Sequence, residues 1–121
     1  AKMAFAKKGK DELSFVQALR SYVKKGMKQD GTDQSILIAN ESIKAFPKSD
    51  KVVDLVIQIH ESVIEKAKAP KYYLGYARVL AYSGQESKAI EQAKIALAKA
   101  KGIDQVTQIE ATRFLDTLSN D

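Results

Sequence analysis

Two prolines, Pro47 and Pro70, are the only residues of their kind in 121 positions, and six glycines accompany them. Proline and glycine are the residues a helix tolerates least. Proline lacks the amide donor and clashes with the preceding turn, and glycine costs backbone entropy. A chain that uses them so sparingly, and fills the space between them with Ala, Leu, Lys, Gln and Glu, is committed to long helical stretches. The punctuation therefore sets the element boundaries, and the fold class is all-α.

Six helical segments follow. The first spans about 10–27, with Leu13, Val16, Leu19 and Val23 on one face, Phe15 and Tyr22 widening it, and Gly26 and Asp30-Gly31-Thr32-Asp33 ending it. The second spans about 33–46, with Asp33 as N-cap, a buried stripe of Ile36, Ala39, Ile43 and Phe46, and Pro47 as the stop. The third begins at Ser49 or Asp50 and reaches about Lys68. Its β-branched run (Val52, Val53, Val56, Ile57, Ile59, Val63, Ile64) would suit a strand, but it is too long for one and holds no turn signal. The fourth starts at Pro70, where a missing amide costs nothing, and runs to Ser83 before Gly84. The fifth, rich in alanine, spans 85–101 and closes at Gly102. The sixth is capped by Asp104 and spans 104–118, burying Val106, Ile109, Phe114 and Leu118. Short links make neighbours antiparallel, which a compact bundle and a short right-handed solenoid of hairpins satisfy equally.

One stretch carries more information. With Pro70 as position one, Tyr73, Tyr76 and Leu80 supply bulk, Ala77 and Ala89 are small where two helices would cross, Gly84 stands in the turn, and Ala93 and Ala96 follow at steps of four and three. In this pattern residues 70–101 resemble a tetratricopeptide repeat, a helix-turn-helix of 34 residues. The match departs from the family at Ala93, where a large residue is usual, and at Lys101, where the family has proline. The resemblance implies antiparallel hairpins stacked as a short right-handed solenoid of about six helices. Residues 1–121 then form a single helical domain, with its clearest hairpin at 70–101 and a capping helix at 104–118. Residues 33–68 do not repeat the pattern in phase. Ala39 and Ile43 fit a first helix, whereas Ala45-Phe46-Pro47 reads as the end of a second one, which reverses the pairing. The frame anchored on Pro70 accounts for more residues.

Repeats of this kind bind a peptide or partner helix in a concave groove lined by the first helix of each hairpin. The resemblance therefore places partner contacts at Lys71, Leu74, Arg78 and Tyr82, with Gly75 and Ala81 between them. Lys71 and Arg78 are two turns apart on one face and could meet an acidic partner, though a merely solvated pair is the plainer reading. The clamp by which chaperone-binding members hold a C-terminal carboxylate is missing from Leu74, Gly75 and Arg78. Tyr73 and Tyr76 are expected in the core, leaving Tyr72 and Tyr82 for the surface.

Chemistry is scarce. There is no cysteine, which removes disulfides, zinc–cysteine sites and thiol catalysis and is compatible with any redox compartment. The one histidine, His60, precedes Glu61, but a zinc-protease helix needs a second histidine where Ile64 stands, so His60 reads as a surface or partly buried polar residue. Glu61 and Glu65 lie one turn apart with no sign of a perturbing pocket, and Lys68 is placed to pair with Glu65 on the surface. Glycine-rich phosphate loops are missing as well. No catalytic residue, metal or cofactor is expected.

The net charge of +5 and pI of about 9.3 would suit nucleic acid or an anionic membrane, but the lysines are spread over nearly every helix among interspersed carboxylates, as a solvated surface requires. No apolar run is long enough to span a membrane, and the lysine-interrupted opening lacks the apolar core of a signal peptide. The leading reading is a non-catalytic protein-interaction or scaffold module. A second is a helical accessory domain of a larger bacterial protein, such as one beginning with a thioredoxin-like domain. The third and weakest is nucleic-acid binding through Lys7-Lys8-Lys10 and Lys24-Lys25-Lys28, which lack interleaved aromatics.

Overall fold

A computed structural model describes residues 10–25 and 31–119, and among them every regular element is an α-helix. The order is α1 (Lys10–Lys24), α2 (Thr32–Ala45), α3 (Asp50–Lys66), α4 (Pro70–Tyr82), α5 (Glu86–Ala100) and α6 (Gln105–Ser119). These follow the punctuation closely. Pro70 opens α4 at its first position, and Asp104 caps α6. The signals proposed for the end of α1 at Gly26 and Asp30, and the lysines Lys7, Lys8 and Lys28, lie outside the described residues. α3 ends at Lys66, so Lys68 falls past the last turn and loses the helical spacing that would have set it beside Glu65. The helices group into two compact units, one up to Val63 and one from Ile64.

In the first unit α1 buries Phe15, Val16 and Leu19, and the Phe15 and Phe46 rings meet at 4.9 Å with a 50° tilt. Leu13, expected inside, is exposed, because Phe15 supplies the bulk that reaches Phe46. α2 also departs from the expected stripe. It buries Ser35, Ala39 and Ser42, while Ile36 and Ile43 are only half-buried. Two hydroxyl bonds explain the rotation. Tyr22 Oη and Ser35 Oγ lie 2.9 Å apart across the α1–α2 pair, and Ser42 Oγ donates to the Ile38 carbonyl at 2.7 Å. A buried hydroxyl must be bonded, and the small serines let the helix approach closely. Asp33 lies in the first turn of α2 instead of capping it; Gly31 holds the N-cap position. Ser49 begins α3, its Oγ accepting from the Val52 amide at 3.3 Å, and Val52, Val56, Ile59 and Val63 are buried along it.

In the second unit α5 is the shared partner, packing along both α4 and α6, while α4 meets α6 over a shorter stretch. The reversal between α4 and α5 is fixed by Gly84 at φ +89°. The Gly84 amide donates to Ala81 at 3.0 Å and the Gln85 amide to Leu80 at 2.9 Å, so two orphan carbonyls at the end of α4 are satisfied through a left-handed residue that only glycine adopts freely. α5 then presents Ala89, Ala93, Ala96 and Ala100 with no exposed surface. Methyl-sized side chains leave room for Tyr73 and Leu74 of α4 to close over Ala96 and Ala111, with Ile64, Ile95, Leu97 and Phe114 around them. α6 also departs from expectation. Val106 is 66% exposed and Ile109 45%, whereas Thr107 and Ala111 are buried. Ala111 of α6 packs with Ala96 of α5, and this rotation leaves Val106 and Ile109, with Ile103 in the preceding turn, on the outside.

Candidate interaction face on the fourth and sixth helices

Helices α4 and α6 are joined only through α5, and each short turn reverses the chain, so the two run parallel. One ion pair links them. At one end the field of Lys71 reaches the Asp104 carboxylate; further along, Arg78 Nη2 lies 3.5 Å from Glu110 Oε1. Cations on α4 thus face carboxylates on α6.

The strongest local chemistry is at Asp104. Thr107 Oγ1 donates to its Oδ2 at 2.6 Å and the Thr107 amide donates to its Oδ1 at 3.1 Å. These two bonds hold the Asp104 carboxyl below the usual carboxylate range against an opposing effect of burial, and Lys71 adds the smallest contribution. A low pKa keeps the cap charged, as the N-terminus of α6 favours.

The four residues expected at a partner groove separate. Lys71 is exposed, with Nζ 5.1 Å from the Tyr72 ring centroid. Arg78 is exposed and bonded to Glu110. Tyr82 is half-exposed at the end of α4. Leu74 is not with them: at 2% exposure its side chain lies in the core beside Ala96 and Ala111. Helical periodicity puts Leu74 near Lys71 and Arg78, but the core claims it because α4 packs on two neighbours and only a narrow arc stays outside. Gly75 and Ala81 are partly buried. Tyr73 and Tyr76 are buried as expected, whereas Tyr72, expected at the surface, is half-buried; Lys99 of α5 covers the Tyr73 ring at 5.3 Å.

Glu110 and Asp104 were not singled out as elements of this face by sequence reasoning. Local periodicity does not pair them with Arg78 and Lys71, because the whole of α5 lies between them in the chain. A shallow depression near the start of α6 is lined by Gly102, Ile103, Gln105 and Gln108.

Among the described residues no group of three or more His, Asp or Glu side chains could hold a metal ion, and no helix is long and apolar enough to cross a membrane. His60 corrects its expectation. It is buried, 3% exposed, with Nδ1 lacking a hydrogen-bond partner, and burial lowers its pKa from 6.5 to about 4. The apolar run of α3 continues on both sides of it, as Ile59 and Val63 show, and carries it inside.

No known protein family, curated protein or solved structure matches the chain.

Proposed function

We propose that this chain is a non-catalytic protein-interaction or scaffold module of tetratricopeptide-like build, and that it receives a peptide or partner helix along α4 and α6. The observation that carries the proposal is the parallel pairing of those two helices, bridged by Arg78 and Glu110, with Lys71 and Tyr82 reaching solvent on the α4 side.

Several features support the repeat-like build. Ala77 and Ala89 have no exposed surface, Tyr76 and Leu80 are buried around them, and Gly84 takes the left-handed conformation in the turn. Asp104 stands one 34-residue repeat length after Pro70, so α6 occupies the place of the first helix of a following hairpin. The partner face comprises Lys71, Arg78 and Tyr82. Leu74 supports it only from beneath, as part of the core.

The partner's chemistry follows from charge. Lys71 and Arg78 are already opposed by Asp104 and Glu110, so an acidic segment would share or displace those carboxylates, and its binding would weaken with salt. The proposal assigns the chain no reaction.

The test is affinity capture with the wild-type domain and a Lys71→Glu, Arg78→Glu variant whose helicity is checked by circular dichroism. A partner held by the wild type and lost by the folded variant supports both module and face. A partner retained by the variant moves the site elsewhere. If no partner is captured under conditions where the domain is folded, the interaction-module reading is lost.

A further inference from the structure

We draw no further inference here: the strongest candidate, the exposed apolar patch of Ile103 in the turn before α6 with Val106 and Ile109 on that helix, carries nothing because nothing in the structure shows what covers it.

Discussion

Arg78 and Glu110, 32 positions apart in sequence, meet at 3.5 Å and tie α4 to α6. Both side chains are about half exposed, so water screens the pair and its two long side chains lose rotamer freedom in forming it. Its value lies in register more than in stability. In a double-mutant cycle, Arg78→Ala, Glu110→Ala and the double variant should give a coupling energy of about 0.2–1 kcal/mol that shrinks with added salt. Arg78→Glu should be the worst single change, and adding Glu110→Arg should restore it. Urea denaturation of the wild type and the five variants tests this; a double reversal no better than Arg78→Glu would show that the two residues do not interact in solution.

The alanine stripe of α5 makes a sharper prediction. Ala96 has no exposed surface and sits against Tyr73, Leu74 and Ala111, whereas Ala98 of the same helix is exposed. Enlarging Ala96 to leucine forces the three helices apart and should destabilise the protein by about 1–3 kcal/mol. Ala98→Leu should stay within about 0.5 kcal/mol of wild type. Helix propensity is nearly equal for alanine and leucine, so the contrast between the two variants in thermal denaturation isolates packing.

Gly84 tests the turn. A Cβ placed there would meet nothing within 4 Å, so space is not the constraint; the backbone at φ +89° is. Gly84→Ala should cost about 1–2 kcal/mol from left-handed strain alone. Gly84→Asn, which tolerates that region better, should cost less. Equal losses for the two variants in a denaturant titration would point to a cause other than backbone conformation.

His60 gives the protein a pH dependence of definite sign. The unfolded chain takes up the proton near pH 6.5, but burial keeps the folded imidazole neutral down to about 4. Between those values the unfolded state binds more protons, so stability falls as pH drops through 6.5 and levels off below about 4. Over that window the loss is about 3 kcal/mol. His60→Leu removes this part of the profile and also the buried, unpartnered Nδ1. Its stability at pH 7 should therefore match or exceed wild type, and the difference between the two proteins should widen toward pH 4.5. Parallel pH profiles of the wild type and His60→Leu would sink the assignment.

Much of the architecture was written locally. Pro70 and Asp104 open helices because an absent amide and a short carboxylate each solve the problem of unpaired N–H groups, and Gly84 ends one because it reaches a positive φ without strain. Such effects act within a few residues, so they are readable without knowing any neighbour. The same holds for the fifth helix, where alanines at steps of three and four already mark a close approach.

What lay beyond local reading was which arc of each helix turns inward. α2 and α6 carry apolar residues on more than one side, and periodicity alone favoured Ile36 and Ile43 in one and Val106 and Ile109 in the other. The structure chose smaller residues instead: Ser35 and Ser42, because the Tyr22 hydroxyl needs a partner and serine permits close approach, Ala111, because it packs with an alanine of α5, and Thr107, whose hydroxyl and amide both bond Asp104. Leu74 was drawn from the expected partner face into the core, and His60 from the surface to the interior, by the same rule. Sequence by itself determined most helix boundaries, through prolines, glycines and caps, and the amphipathic character of each helix, through periodicity, because hydrogen bonding along the backbone is local. Tertiary structure alone decided burial, ion-pair partners and the composition of the exposed face, because those depend on the shape and polarity of the surface each helix meets.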